Sequence, residues 1–458
     1  MPQDTFTLLS HLYADRSQQA LFSEEATIVS WLRVEAALAQ GQAAVGVLSQ
    51  DDADAITAAA TLDNVDPDRL WASARNVGYP ILGIVREISR ALPSGPDGRV
   101  HYGATTQDIM DTGLVLQLVS SLDLLQEQVG ECGNAIATVV RTHSETIMPA
   151  RTHAQHAVPT TLGASLATVL DELTRHLQRL RETRQRLATV SLAGAGGTSA
   201  AYGTKATQVR EAVARSLNLY HSVVPWHTSR DRLAEFGHLY AEISATCARL
   251  ARNIVDLSRT EIGEVFEKFD SHRGASSTMP QKVNPISSEA IIGLSQTVAG
   301  LASTMSRIQE AGHERAAGEW QLEWEVLPRI AVLTGSTVAE TTDLAAGLRV
   351  DPERMEANLT LDHGLIMAEA HMISLAERLG RERAHDLVYE ASQRARHDNE
   401  TLTTALLAEA RSAGLDESVT SAITGPEGYL GEAATIATTA VDHWSAVLSQ
   451  SSDAGIER

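Results

Sequence analysis

The run Gly274-Ala275-Ser276-Ser277-Thr278-Met279-Pro280-Gln281-Lys282-Val283-Asn284-Pro285 packs three hydroxyls, an ammonium and two amides into a dozen residues. Pro280 and Pro285 each disfavour helix at the residue before them, so the run is a loop. The residues from Ile286 to Ile308 contain no proline and read as a helix. Hydroxyls, a lysine and an asparagine that lead into a helix N-terminus suit the binding of an anion. Small residues on the approach suit a loop that closes over it. Composition alone is also compatible with an ordinary inter-helix connection.

Two further stretches carry similar chemistry. In His101-Tyr-Gly-Ala-Thr105-Thr106-Gln107-Asp108-Ile-Met-Asp111-Thr112, one of the two threonines is placed to cap the helix that follows. Hydroxyls and free backbone N–H groups there can hold a carboxylate. In Arg151-Thr152-His153-Ala154-Gln155-His156, Pro149 and Pro159 argue for a loop before a long helix. His153 and His156 are three apart, but no third and fourth ligand accompany them, so no metal site is expected. The run Gly194-Ala-Gly196-Gly197-Thr198 lacks the Gly-Lys-Ser/Thr ending of a P-loop and follows no strand, which leaves a nucleotide reading weak. Arg230, in Trp226-His227-Thr228-Ser229-Arg230, and Arg315, in Gly312-His313-Glu314-Arg315, are additional candidates for a substrate carboxylate.

These motifs resemble those of the fumarase/aspartase superfamily, whose signature loop reads Gly-Ser-Ser-x-Met-Pro-x-Lys-x-Asn-Pro. Ala275 stands where that pattern has its glycine, and Gly274 precedes it. The resemblance spans nearly the whole chain and is closest to the branch of 3-carboxy-cis,cis-muconate cycloisomerases and adenylosuccinate lyases. It implies a cofactor-free lyase or cycloisomerase that runs a β-elimination, or its reverse, on a di- or tricarboxylate. Ser276, six residues before Lys282, falls at the position of the catalytic base, and His153 at that of the assisting acid. Thr105, Thr106, Gln107, Arg151, Thr152, Arg230, Ser277, Met279, Lys282, Asn284 and Arg315 are the expected substrate contacts. The resemblance further implies a homotetramer whose active site is shared by three subunits. Two features depart from this branch. Tyr79-Pro80 stands where adenylosuccinate lyases carry a His-Asp pair, and Val283 stands where the cycloisomerases have arginine. A carbon–nitrogen lyase that releases fumarate from a substituted succinate (nitrosuccinate, hydrazinosuccinate, aspartate or adenylosuccinate type) is therefore the alternative. A non-catalytic structural protein that keeps the lyase fold is a third reading. The joint presence of Ser276, Lys282, Asn284, His153 and Thr105 argues against it.

The elements that must hold these residues read as all-α, because 3–4 spacings of apolar residues dominate and strand signals are almost absent. Leu114, Leu118, Leu122, Leu125, Val129 and Cys132 predict one long helix from about Gln107 to Thr146. Others are expected after Pro159, from His227 to Glu267, after Pro285, and around Pro328. Helices this long imply a bundle covered in part by other subunits. Three helical regions follow: 1–100, a central bundle 101–350 with the signature loop at 270–289, and 351–458.

The 458 residues carry a formal net charge of −21, which argues against nucleic acid and anionic membrane surfaces as partners. An anionic substrate must then be met by a few local cations. Cys132 and Cys247 are the only cysteines, so a disulfide framework is not expected and a reduced, cytoplasmic setting is natural. Met1-Pro2-Gln3-Asp4 lacks the basic and apolar regions of a leader, and no apolar run is long enough for a membrane helix.

Overall fold

Among the described residues four helices of 26 residues or more carry the fold, and in them the apolar residues recur every three and four positions. In the computed structural model, which describes residues 12–315, 318–415 and 425–453, the helix Thr106–Thr142 buries Val115, Leu118, Leu122, Leu125, Val129, Cys132, Ile136 and Val140. The helix Asp231–Leu257 buries Leu233, Phe236, Tyr240, Ile243, Cys247, Leu250 and Ile254 in the same rhythm. That alternation keeps one stripe of a helix facing its neighbours, as in a bundle. Met1 to Asp4, Ala316 and Ala317 lie outside the described residues.

In chain order, α1 is Arg16–Leu21, α2 Glu24–Ala44, α3 Gln50–Ala59, α4 Pro67–Val77, α5 Ile81–Arg90 and α6 Thr106–Thr142. The strands β1, Ile147–Thr152, and β2, Gln155–Thr161, precede α7, Leu162–Leu187, α8, Ala206–Leu217, and α9, Asp231–Leu257. The strand β3, Val265–Phe266, is followed by α10, Ile286–Ser303, α11, Met305–Ile308, and α12, Glu319–Ala346, which continues through Pro328. The strand β4, Arg349–Val350, leads to α13, Pro352–Asn358, α14, Ala368–Leu379, α15, Arg381–Asp398, α16, Leu402–Ser412, and α17, Ala433–Asp453. The all-α expectation holds. No helix among the described residues is long and apolar enough to cross a membrane.

Local chemistry sets the ends of these helices. Ser23 caps α2 by accepting from the Ala26 N–H, with Glu24 and Glu25 in the first turn. Asp66 caps α4, Pro67 follows at its first position, and Gly78 ends it with a left-handed φ of 87°. Asp351, read as a boundary, caps α13 through the Arg354 N–H.

The chain forms two compact units. One comprises 12–129, His176–Ala245 and Gly293–Ala339, and the other Gly130–Arg175, Thr246–Ile292 and 340–453. In the first, α2 to α5 close over Leu32, Leu48, Ile56, Leu70, Ile84 and Ile88, and a second cluster joins Ile109, Val115, Val190, Val213, Trp226 and Trp320. In the second, α14 to α16 pack Leu375, Val388, Ala391, Leu402 and Leu406. There Gly133 is required by packing, since a Cβ would lie 2.1 Å from the Trp444 ring, whose Nε1 donates to Asn134.

Two expectations need correction. The stretch between Pro149 and Pro159 is a β-hairpin rather than a loop, with Thr152 opposite Gln155 and the two prolines opposite each other. Its two-residue turn is His153-Ala154, both left-handed at φ 51° and 61°, the pattern of a type I′ turn. Threonines and valine in the arms favour extended backbone, and an isolated pair leaves edges where proline is tolerated. The helix read from His227 to Glu267 is Asp231–Leu257, because Gly263 takes φ 67° and Val265–Phe266 pairs with Arg349–Val350.

Candidate active site

The first unit assembles one set of the expected residues at the start of α6. Thr105 stands just before the helix. Its N–H is taken by the Asp108 carboxylate, which reaches back as in a capping box. The Thr105 hydroxyl is left free to accept from Arg315 Nη2 at 3.0 Å. Arg315 Nε donates to Gln107 Oε1 at 3.0 Å, and its guanidinium stands over the Trp320 ring. Thr105 and Gln107 thus meet Arg315 directly, although it lies more than 200 residues from either in sequence. Thr106 is the first residue of α6 and is half-buried. Asp108 also accepts from the N–H groups of Ala193 and Gly194, which pins the glycine-rich run against α6. Burial pushes the Asp108 carboxyl up to about 6 despite these three donors, and the Asp111 charge adds to the rise.

Arg230 is buried and fully engaged. Its Nη1 and Nη2 donate to Asp111 at 2.7 and 3.1 Å, its Nε and Nη2 donate to Glu323 at 2.8 and 2.5 Å, and Nη1 also reaches the His227 carbonyl. The Trp226 ring lies beneath it. All five N–H donors are thereby used. Arg230 therefore organises the wall of the site and has no donor left for a substrate. Burial disfavours its charge, but Asp111 and Glu323 outweigh burial and raise its pKa. Two carboxylates share this one guanidinium. Asp111 also receives Gln107 Nε2 and Trp320 Nε1, whereas Glu323 has Arg230 alone among the described residues. Burial pushes Glu323 up to about 7, with Arg230 opposing and the Asp111 charge assisting.

The second unit holds the other set. Arg151 Nη1 donates to Glu264 Oε2 at 2.9 Å and Nη2 to Glu264 Oε1 at 2.5 Å. Glu264 is fully buried and also accepts from Asn358 Nδ2 at 2.7 Å. This bidentate pair fixes the turn end of β1, which leaves Arg151 as a support for the exposed Thr152 and His153 at the hairpin tip.

The signature loop is tied at its base and open along its body. Asn284 N and Nδ2 both donate to the Gly274 carbonyl, at 2.8 and 2.9 Å. Gly274 has φ 65°, and a Cβ there would lie 2.3 Å from the Asn284 oxygen, so only glycine fits. Ala275 pairs with Val283 just above. Ser276 is half-buried, and its Oγ accepts from the N–H groups of Thr278 (3.3 Å) and Met279 (3.1 Å). Ser277, Met279 and Lys282 are exposed. Among the described residues no hydrogen bond or ion pair joins His153 to Ser276 or Lys282. The N-terminus of α10, expected to hold an anion, already holds one. Glu267 accepts from the N–H groups of Ser287 and Ser288.

Asp111, Glu323, Glu264 and Glu267 had no assigned role in the sequence. Asp111 lies four residues after Gln107 and so on the same helix face, a local signal that could have found it. The glutamates lie far from their arginines and helix ends in sequence and leave no local signal. No group of three or more His, Cys, Asp or Glu side chains suited to a metal occurs among the described residues.

Comparison with known proteins assigns the chain to a family. A model of a lyase family matches residues 9–300, and one for the adenylosuccinate lyase C-terminus matches 364–440. A 3-carboxy-cis,cis-muconate cycloisomerase of Pseudomonas aeruginosa is 40% identical over 419 residues, 91% of each chain. The crystal structure of 3-carboxy-cis,cis-muconate lactonizing enzyme from Pseudomonas putida superposes with a TM-score of 0.89 at 38% identity, covering 96% of this chain and 99% of that one. A fumarate lyase from Mesorhizobium sp. BNC1 superposes with a TM-score of 0.87 at 36% identity, covering 94% and 98%. The chain belongs to the lyase family of the fumarase/aspartase superfamily, whose members are lyases and cycloisomerases.

Proposed function

We propose that this chain is a cofactor-free cycloisomerase of the 3-carboxy-cis,cis-muconate type. The observation that carries this reading is the direct meeting of Thr105, Gln107 and Arg315 at the start of α6, a cation and hydroxyl set suited to a carboxylate, in a chain 40% identical to a cycloisomerase. In the lactonising direction an internal carboxylate oxygen of the substrate adds across a double bond, and the carbon next to another carboxylate takes up a proton. In reverse a base removes that proton and the carboxylate leaves. Both directions pass through a doubly charged aci-carboxylate, so most of the catalysis lies in stabilising charge.

Ser276 is the proton-transfer group in this reading. The two backbone N–H groups aimed at its Oγ favour the ionised oxygen, which an unaided serine could not sustain. Lys282 stabilises the growing charge once the loop closes, Asn284 holds the loop base, and Ser277 and Met279 line the closed face. His153, with Thr152, assists as acid or orients the reacting carboxylate. We further propose a cytoplasmic homotetramer in which each active site draws these motifs from three subunits. The helix α10 supports self-association. It carries one charged residue, Glu289, and leaves Gly293, Gln296, Thr297, Ala299 and Gly300 exposed.

A second reading, a lyase that releases fumarate from a substituted succinate, is favoured by Val283. This residue is 64% exposed on the loop and uncharged where the cycloisomerases have arginine, and a fumarate lyase is among the similar structures. Ultraviolet absorbance over time with 3-carboxy-cis,cis-muconate and a panel of substituted succinates, each beside Ser276→Ala, separates the two. Loss of the conjugated muconate absorbance with wild type alone is expected. A rise of fumarate from a succinate with muconate untouched would replace this reading by the second. A fully active Ser276→Ala would remove the serine from the mechanism.

A further inference from the structure

Next to the Arg315 site lies a group that neither the expected motif residues nor the ion-pair network uses. His227 is 4% exposed, and its Nδ1 and Nε2 are both buried with no hydrogen-bond partner among the described residues. Its backbone is well held, because the carbonyl accepts from Gln107 Nε2 at 2.8 Å and from Arg230 Nη1. The ring is near enough to Asp111, Arg315 and Arg230 for their charges to act on it. A buried imidazole with neither nitrogen satisfied costs free energy. A merely structural position would be better filled by leucine or phenylalanine. Burial lowers its pKa, and Arg315 and Arg230 lower it further against Asp111, so the ring is neutral and offers one N–H donor and one acceptor. Arg315 has an unsatisfied nitrogen of its own. Nε and Nη2 reach Gln107 and Thr105, while Nη1 has no partner among the described residues.

We infer that His227 is a further substrate-contacting residue, whose ring N–H and Arg315 Nη1 together receive one carboxylate of the bound substrate. This rests on the reading of the Thr105–Gln107–Arg315 cluster as a carboxylate site. The contact exists in the bound substrate and in the transition state alike, so it acts on KM more than on kcat. It also makes the histidine ring satisfied only when the site is filled.

The test uses the full-length protein with 3-carboxy-cis,cis-muconate as substrate and propane-1,2,3-tricarboxylate as an unreactive probe, followed by calorimetric titration. His227→Leu should raise KM and weaken tricarboxylate binding about tenfold or more, leave kcat within about threefold, and leave the melting temperature equal or higher. His227→Gln, which keeps an N–H donor at similar reach, should recover most of the affinity, and the shorter His227→Asn should not. These two polar variants carry the test if His227→Leu does not fold. A KM and probe affinity within twofold of wild type in His227→Leu, or in both His227→Gln and His227→Asn, would overturn the inference. So would a fall in melting temperature with KM unchanged, which marks a structural ring. Wild-type protein that binds the probe but does not turn over the muconate would break the reaction reading alone, and the affinity loss in His227→Leu would still support the contact. Wild-type protein that binds no carboxylate would overturn both.

Discussion

Around Arg230 every donor of a buried guanidinium meets a carboxylate or carbonyl, whereas the Lys282 ammonium stands exposed on its loop with no partner among the described residues. The first region is organised before any substrate arrives. Asp111 holds Arg230, Trp320 and Gln107 at once, and Gln107 then carries Arg315. The second is fixed only where Asn284 grips the Gly274 carbonyl, and the residues between have few ties beyond Ser276. The contrast suggests a division of labour. In the proposed function the preformed cluster binds a carboxylate, and the open loop supplies the proton-transfer group and the lysine.

Breaking the preformed side should have the largest effect. Arg230→Met leaves Asp111 and Glu323 buried without their cation. It should lower unfolding free energy by about 3–5 kcal/mol, read as a shift in the denaturant midpoint. A shift under about 1 kcal/mol would mean that the cluster is looser than its geometry.

Arg315→Ala removes the proposed substrate contact and leaves the ion pairs of Arg230 with Asp111 and Glu323 in place. It should reduce kcat/KM by about a hundredfold, near 2.7 kcal/mol, with the denaturant midpoint hardly moved. Equal losses of activity and stability would erase the distinction between the ion-pair wall and the binding residue it supports.

Glu323 provides a pH test of the same wall. Its folded pKa of about 7 lies above the ordinary value of 4.5, so its contribution to stability is full below about pH 4.5 and is lost as pH rises through 7. Wild type should therefore lose about 2 kcal/mol relative to Glu323→Gln between pH 5 and 8, measured by urea unfolding. A difference that grows in favour of wild type over that range would show that Glu323 is held ionised.

The smallest effect belongs to the loop base. Gly274→Ala forces a left-handed alanine against the Asn284 backbone oxygen and should reduce turnover about tenfold and lower unfolding free energy by about 1 kcal/mol. Full activity would mean that the pinned base is dispensable.

Much of this was legible in the sequence. The long helices follow from apolar spacing, since a stripe such as Leu118, Leu122, Leu125 and Val129 is what a helix buries in a bundle. Thr105, Gln107 and Arg315 were each named as carboxylate contacts, but their meeting was not legible, because it is made by tertiary packing across more than 200 residues. The hairpin around His153 is not legible, because its prolines point to a loop and the pairing of its two arms leaves no local signal. Arg230 and Arg151 looked like binding cations, because a sequence does not reveal which carboxylate will neutralise an arginine. Glu323 lies 93 residues from Arg230, and Glu264 lies 113 from Arg151.

Hydrogen–deuterium exchange with and without propane-1,2,3-tricarboxylate tests the division of labour most directly. Peptides covering 105–112 and 227–230 should be protected already in the free protein and change little. The peptide covering 275–283 should exchange fast when free and slow by about tenfold or more when the ligand is bound. Equal protection of the loop in both states, or ordering of 105–112 only on binding, would contradict the account.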